Sequence, residues 1–324
     1  MAKPGTQAGI DPTDIAQDNW VDRWLPQQAR PYARLARLDR PIGTWLLLLP
    51  CWWGVAYAVA VTGQSLSWNH LGYALLFAIG ALVMRGSGCT WNDIVDRDID
   101  GQVARTATRP IPSGDVSTKQ ALAFLVALCL TGLIVLVQFN MAAIITGICA
   151  LALVACYPFM KRITYFPQAW LGLTFNWGVH VGFIAVAGAF DPRQLLIYAA
   201  GFFWTMGYDT IYAHQDKEDD ALIGVKSTAL KFGASTRPWI VGFYTIVIAL
   251  LVLAVWQGGL GQAGLGWGVW PVLALAAAHL AWQTASVDFD GIKSCLSRFR
   301  SNRDFGLLVA LALFAGAATN AWGG

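Results

Sequence analysis

Two acidic clusters contain the residues of this chain that are best suited to chemistry. The first, WNDIVDRDID at 91–100, directly follows an apolar run, and the second, YDTIYAHQDKEDD, lies at 208–220. Side chains three or four residues apart share one face of a helix. The spacing therefore predicts a polar stripe in each cluster. The stripes consist of Asn92, Asp96 and Asp100 in the first cluster and of Asp209, Tyr212, Asp216 and Asp220 in the second.

Carboxylates at this spacing are typical of a site that binds a cation. They repel one another unless a positive charge neutralises them, and the cost of the repulsion grows beside an apolar bundle. Oxygen ligands suit hard divalent ions, and Mg²⁺ is usually held by one or two carboxylates together with phosphate oxygens and water. We therefore expect Mg²⁺ as the cofactor, bridging the carboxylates to a diphosphate. The alternative is a solvated loop whose acids balance nearby basic residues without a ligand.

Basic residues follow both clusters and could contact the phosphate oxygens of such a ligand. The segment ARTATRP supplies Arg105 and Arg109, and IGVKS supplies Lys226. Each of these residues could instead anchor a membrane span at the lipid interface. The sequence contains no nucleotide-binding glycine motif after a strand and no paired cysteines or histidines at metal-ligand spacing. It also contains no nucleic-acid motif, so we expect no nucleic-acid partner.

The elements that must position these residues are membrane helices. The 324 residues are 56% hydrophobic and only 13% charged, which is well outside the balance typical of soluble domains. Windows of about twenty apolar residues predict membrane spans. Nine such windows lie near 42–62, 69–91, 118–138, 140–158, 168–190, 193–213, 237–257, 267–287 and 304–322. The predicted fold is an all-α bundle of nine transmembrane helices.

The distribution of basic residues supports the predicted topology, because lysine and arginine are retained on the cytoplasmic side of short loops. With the N-terminus cytoplasmic and the C-terminus outside, nine spans place all 22 basic residues except Arg193 on the cytoplasmic side. Residues 1–30 do not read as a signal or transit peptide, which favours a bacterial inner membrane. We predict a cytoplasmic tail at 1–33 and a transmembrane domain at 34–324.

Several long motifs resemble those of the UbiA-type intramembrane aromatic prenyltransferases. NDIVDRDID fits the NDxxDxxxD pattern of that family, and DKEDD fits its second DxxxD. Longer stretches resemble the branch that acts on 4-hydroxybenzoate, over roughly residues 34–320. These stretches are RLDRPIGTWLLLLPCWWG, RGSGCTWNDIVDRDIDGQVARTATRPIPSG, YPFMKRITYFPQAWLG and YDTIYAHQDKEDDALIGVKSTAL.

The resemblance implies both an architecture and a reaction. The helices would surround a central cavity open toward the lipid, with the two Asp-rich motifs on its cytoplasmic side. The reaction would be the Mg²⁺-dependent transfer of a polyprenyl group from polyprenyl diphosphate to 4-hydroxybenzoate. The new bond forms at the ring carbon ortho to the hydroxyl and diphosphate leaves, in ubiquinone biosynthesis. The partners of the chain would be these two substrates and membrane lipid.

The resemblance also implies roles for individual residues. The metal ligands, direct or through water, would be Asn92, Asp96, Asp100, Asp209, Asp216 and Asp220. Asp93, Asp96 and Asp216 would be catalytic, and Tyr212 would complete the second motif. Which aspartate accepts the ring proton stays open.

The carboxylate of the aromatic acid needs a positive partner. Arg162 is the first choice, counted with the catalytic residues, and Arg85 is the second, because it lies two turns before Asn92. Arg37 and Arg40 are weaker candidates, since RLARLDRP is also typical of an interfacial anchor.

Two other functions fit parts of the pattern. A sister prenyltransferase could use the same fold and ion with homogentisate, dihydroxynaphthoate or haem as the acceptor. An ion-coupled transporter could also use intramembrane acids and internal repeats. Transporters, however, usually bind their substrate near the bilayer midplane, whereas both acidic clusters are predicted at one surface.

Overall fold

The computed structural model describes residues 19–102, 106–259 and 267–320, and within these ranges the chain forms helices and no strands. The all-α prediction is confirmed. The helices, α1 to α15 in chain order, are Trp20–Trp24, Arg30–Leu35, Ile42–Val61, Trp68–Asp100, Thr118–Leu136, Met141–Ile163, Pro167–Asn176, Gly178–Ala187, Gln194–Ala213, Lys217–Ile223, Thr228–Phe232, Thr236–Gln257, Val269–Ser286, Ile292–Arg300 and Asn302–Asn320.

Six stretches of helix within the described chain are long and apolar enough to cross a membrane. They are Ile42–Val61, Trp68–Asp100, Thr118–Leu136, Met141–Ile163, Pro167–Ala187 and Thr228–Gln257. The other predicted spans correspond to α9, α13 and α15. Their sequences include polar residues such as Gln194, Gln283 and Asp304, which lower their mean hydropathy. The predicted count of nine spans is therefore not confirmed.

The helix that carries the first acidic cluster is longer than a bilayer requires. α4 contains 33 residues, and a helix of that length extends about 50 Å against a hydrocarbon core of about 30 Å. Its apolar part begins near Leu71, and the helix continues without a break through Asn92 to Asp100. The prediction that Asn92, Asp96 and Asp100 lie on one helix is confirmed.

The described chain divides into two compact units. The first unit comprises Met1–Pro41 and Gly86–Cys129, of which residues 19–41, 86–102 and 106–129 are described. Its core joins Leu35 at the end of α2, Ile94 on α4 and Ala121 on α5. The ring of Tyr32 packs edge-on against Phe124 with centroids 5.3 Å apart. α2 is thus packed against the α4 segment that carries the acidic residues.

The second unit comprises Ile42–Arg85 and Leu130–Gly324, of which residues 42–85, 130–259 and 267–320 are described. Its core contains α3, α8, α9, α12 and α15. Gly178 and Gly182 lie one turn apart on α8, and a Cβ at either position would overlap Cys51 on α3. Small residues at this spacing allow two membrane helices to approach closely. α9, whose last turns carry Asp209 and Tyr212, is held in this core by many fully buried side chains.

Candidate active site

The first acidic cluster is a buried group at the end of α4. Asp93 and Asp96 are fully buried, Asp100 is nearly so, and Asn92 is half-buried. Asp98 lies on the opposite face, where 80% of its side chain is exposed 3.5 Å from Arg97. Helical geometry therefore separates a buried set of carboxylates from a solvated one.

Two predicted arginines lie against these carboxylates. Arg37 Nη2 donates to Asp93 Oδ1 at 2.7 Å. Arg109 Nη1 donates to Asp100 Oδ2 at 2.8 Å and lies 3.4 Å from Asp93 Oδ1. A buried carboxylate that loses its positive partner is strongly destabilising, typically by about 3–5 kcal/mol. The arginines therefore stabilise the buried carboxylates and fix their orientation.

The donor set of this cluster fits a divalent cation. The second oxygen of Asp93, Oδ2, is buried and has no hydrogen-bond partner in the described part of the chain. Asn92, Asp96 and Asp100 offer only hard oxygen ligands on the same stretch of helix, which suits Mg²⁺. No group of three or more His, Cys, Asp and Glu side chains within the described ranges is close enough to hold a metal. Mg²⁺ needs only one or two carboxylates when phosphate oxygens complete its shell.

The second acidic cluster does not form the single helical stripe that its spacing predicted. α9 ends at Ala213, and the next N–H groups, from His214 to Asp216, bond to carbonyls three residues back. This tightening is common where a helix ends in polar residues. Asp216 then lies at the N-cap of α10, and its carbonyl accepts from the Asp220 N–H at 2.7 Å. Asp209 and Tyr212 therefore lie on one helix, and Asp216 and Asp220 belong to the next.

Arg85 lies in the interior of the second unit. Its guanidinium is 5.4 Å from the centroid of the Phe175 ring, and it packs against Gly43, where a Cβ would overlap it. Its Nε is buried and has no hydrogen-bond partner within the described ranges. The charge of Arg85 also attracts the carboxylate of Asp209 on α9. The arrangement is a partly buried cation beside an aromatic ring.

Lys226 is hydrogen-bonded to the C-terminal end of α6, where Arg162 also lies. Its N–H donates to the Lys161 carbonyl at 3.0 Å, and its Nζ donates to the Ile163 carbonyl at 3.1 Å. The ammonium also lies 5.5 Å from the Tyr165 ring. Arg162 itself is exposed, and its guanidinium lies 5.9 Å from the Phe159 ring.

Of the remaining predicted site residues, Arg40 and Tyr212 contact neighbouring side chains. Arg40 pairs with the adjacent Asp39 at 3.1 Å. Tyr212 packs against Phe299 with ring centroids 4.4 Å apart. Arg105 lies outside the described residues.

Sequence reasoning did not single out His214, which lies between the two parts of the second cluster. The residue is buried, and its Nε2 lies 3.0 Å from the Thr236 hydroxyl. Burial, with the nearby charge of Lys217, lowers the pKa of His214 to about 4, so the imidazole is neutral at pH 7. Its position two residues before Asp216 is the only sequence signal for it.

Comparisons with known proteins agree on one family. The model of the "UbiA prenyltransferase family" matches residues 47–306. A mitochondrial 4-hydroxybenzoate polyprenyltransferase of Arabidopsis thaliana is 47% identical, over 91% of this chain and 70% of that protein. The mitochondrial enzyme of the same name from Mus musculus is 48% identical, over 97% of this chain and 81% of that protein.

Solved structures share the fold. A UbiA homologue from Aeropyrum pernix K1 superposes with a TM-score of 0.65 at 26% identity, covering 84% of this chain and 96% of that chain. A UbiA homologue from Archaeoglobus fulgidus bound to GPP and Mg²⁺ gives a TM-score of 0.66 at 20% identity, covering 88% of this chain and 98% of that one. The helical architecture is therefore that of these proteins.

The predicted bacterial inner membrane is wrong, because the Arabidopsis and mouse relatives are both mitochondrial proteins. That prediction depended on the composition of residues 1–30, which does not report the compartment. The asymmetry of basic residues distinguishes the two sides of a membrane, and it does not identify which membrane is crossed. The predicted cytoplasmic N-terminus and outer C-terminus are wrong for the same reason, because they assumed a bacterial inner membrane. The long apolar helices of the described chain fit a multi-pass membrane protein.

Proposed function

This chain belongs to the UbiA prenyltransferase family, and we propose that it transfers a polyprenyl group from polyprenyl diphosphate to 4-hydroxybenzoate, releasing diphosphate. The observation that carries the proposal is the buried group on α4, in which Arg37 and Arg109 hold Asp93 and Asp100. Such a group at the end of a membrane helix suits a diphosphate whose prenyl tail lies in lipid. The curated relatives, nearly half identical over most of the chain, support 4-hydroxybenzoate as the acceptor.

We propose Mg²⁺ as the cofactor, with ligands from both acidic clusters. They are Asn92, Asp96, Asp100, Asp209, Asp216 and Asp220. The Archaeoglobus fulgidus homologue bound to GPP and Mg²⁺ supports a divalent ion together with a prenyl diphosphate. Bound Mg²⁺ would supply Lewis acidity to the oxygens of the departing diphosphate.

The residues of the chain would perform the remaining tasks. Fixed positive charge stabilises the negative charge that develops as the bond to the prenyl group breaks, and we assign this role to Arg109, Arg105 and Lys226. Arg109 already lies 2.8 Å from Asp100, so its guanidinium needs little reorganisation. A carboxylate then accepts the proton that the ring loses when the new carbon–carbon bond forms. Asp93, Asp96 and Asp216 are the candidates.

The proposal retains the finer architecture predicted from sequence, namely nine spans around a lipid-open cavity and a transmembrane domain at 34–324. The three less apolar helices α9, α13 and α15 would complete the count. Much of the surface of α9 is buried against other helices, so its polar residues would not contact lipid. On α4 the exposed residues Leu71, Leu75, Ile79 and Leu82 follow helical spacing, as expected for a face in contact with membrane lipid.

Arg85, the second choice from sequence, has contacts that support it as the partner of the acceptor carboxylate. Its guanidinium lies against an aromatic ring in a partly buried position, whereas Arg162 is exposed. A charge-assisted hydrogen bond between the guanidinium of Arg85 and the acceptor carboxylate would contribute about 1.5–3 kcal/mol to the free energy of binding.

Arg85→Gln is therefore expected to raise the KM for 4-hydroxybenzoate by about tenfold to a hundredfold. The KM for polyprenyl diphosphate should stay unchanged. Steady-state kinetics with each substrate varied in turn measure both constants, and Arg162→Gln is the matched comparison. With the uncharged acceptor 4-hydroxybenzamide, wild type and Arg85→Gln should have the same KM. A raised KM in Arg162→Gln alone would return the role to Arg162.

The function is tested with purified protein in lipid vesicles that contain a polyprenyl diphosphate and Mg²⁺. Incubation with 4-hydroxybenzoate should give the ortho-prenylated acid and diphosphate, both identified by mass spectrometry. Homogentisate and dihydroxynaphthoate, offered in parallel, distinguish the sister enzymes. The proposal fails if no prenylated 4-hydroxybenzoate forms, or if another acceptor is used in preference.

A further inference from the structure

Arg37 occupies a backbone position that usually requires glycine. α2 ends at Leu35, after which the Arg37 N–H bonds to the Arg34 carbonyl at 3.0 Å and the Leu38 N–H bonds to the Ala33 carbonyl at 2.9 Å. This pair of hydrogen bonds defines a Schellman motif, whose left-handed position is most often glycine. Arg37 adopts a φ of 56° there, and it is the sole non-glycine residue with positive φ in the described ranges.

The side chain of Arg37 explains why arginine is present at this strained position. Its guanidinium donates to Asp93 Oδ1 at 2.7 Å and to the Arg34 carbonyl at 2.9 Å. Only 10% of the side chain is exposed, and the side chain of Asp93 is fully buried. Strained backbone persists where the surrounding structure over-determines it, and it concentrates at functional sites. Glycine would fit the backbone better but would leave Asp93 without this partner.

The segment around Arg37 is fixed at several points. We call residues 19–38 the N-terminal clasp. Within it Arg34 pairs with Asp22 at 2.6 Å, and the Trp20 indole donates to the Leu38 carbonyl at 3.0 Å. Leu35 is fully buried in the core that also contains Ile94, the neighbour of Asp93 on α4. The clasp thus fixes the backbone of Arg37 relative to the carboxylate that it contacts.

We propose that Arg37 is a positioning residue for prenyl transfer, and that the N-terminal clasp holds its guanidinium on Oδ1 of Asp93 so that Oδ2 is directed into the reaction site. The inference depends on the proposed function, because it assigns Arg37 a task in that reaction. It replaces the weaker prediction that Arg37 contacts the acceptor carboxylate. It also makes residues 19–38 part of the catalytic unit rather than an accessory tail.

Arg37→Gly separates the two roles that the residue could have. If Arg37 were only structural, glycine would relieve the strained φ and activity would be retained. Relief of the strained φ offsets only part of the loss of the buried ion pair, so we expect a melting temperature somewhat below that of wild type. We expect kcat to be about a hundredfold lower, because a misplaced catalytic group costs about that much. The KM for 4-hydroxybenzoate should hardly change. Millimolar guanidinium should restore part of kcat, and Arg37→Lys should retain part of it.

Arg97→Gln is the matched control, since Arg97 is an exposed arginine on α4 that pairs with the solvated Asp98. Its kcat should equal that of wild type and should not respond to guanidinium. The clasp is tested separately with Asp22→Arg and Arg34→Asp, each of which should lower kcat. The two changes together restore opposite charges and should restore kcat.

The outcomes distinguish the inference from the function on which it depends. An inactive wild-type enzyme would reject the proposed function. An active wild type with an equally active Arg37→Gly would reject only the role of Arg37. If Arg37→Gly melts well below wild type, the clasp variants decide the matter. Unchanged kcat in Asp22→Arg and Arg34→Asp would then overturn the proposal.

Discussion

Asp96→Asn is expected to lower kcat by about a thousandfold, equivalent to ~4 kcal/mol of transition-state stabilisation. Asp96 is fully buried on the same helix as Asp93 and Asp100. Asparagine has nearly the same shape but lacks the negative charge that a divalent ion requires. The loss should therefore appear in kcat at saturating concentrations of both substrates, with the fold retained by circular dichroism.

Asp98→Asn is the control for that experiment. The substitution removes the same charge from the same helix only two residues away, but the Asp98 side chain is 80% exposed and faces away from the buried group. Its activity should equal that of wild type. Wild-type activity in Asp96→Asn, or an equal loss in Asp98→Asn, would contradict the assignment. The second result would mean that total charge at the end of α4, rather than one buried ligand, determines the rate.

The first acidic cluster could be predicted because its signal is local. Residues four apart on one helix must share a face, and α4 continues unbroken to Asp100. The second cluster has the same spacing, but its helix ends at Ala213. Whether a helix continues through a polar segment such as His214–Asp216 depends on tertiary contacts, including the hydrogen bond between His214 and Thr236. Spacing alone contains no information about those contacts.

The position of Arg37 could not be predicted for a related reason. It is separated from Asp93 by more than fifty residues in the sequence, and RLARLDRP is equally typical of an interfacial anchor. The left-handed φ of Arg37 arises from the end of α2, and an arginine is an uncommon residue there.

The membrane spans differ in how clearly their hydropathy predicts them. Continuous apolar helices were found from hydropathy, whereas α9, α13 and α15 gave weaker signals because they bury polar side chains such as Gln194, Gln283 and Asn302.

Removal of divalent ions with EDTA is expected to abolish prenyl transfer completely, and added Mg²⁺ in excess of the chelator should restore it. The buried donors on α4 are hard oxygens, and the fully buried Oδ2 of Asp93 has no hydrogen-bond partner in the described chain. Without a cation, the carboxylates of the cluster would repel the incoming diphosphate. The rate of diphosphate release, measured in vesicles before and after Mg²⁺ is restored, checks the prediction.

The arginines of the site make the EDTA result informative in a second way. Arg37 and Arg109 are permanently charged and stay in place when the metal is removed, since their ion pairs with Asp93 and Asp100 need no metal. They already neutralise part of the cluster, so the secondary structure should survive chelation while the rate does not. Circular dichroism in EDTA tests the first expectation. Full activity in EDTA would show that the arginines alone stabilise the departing diphosphate and that the carboxylates serve only to hold them.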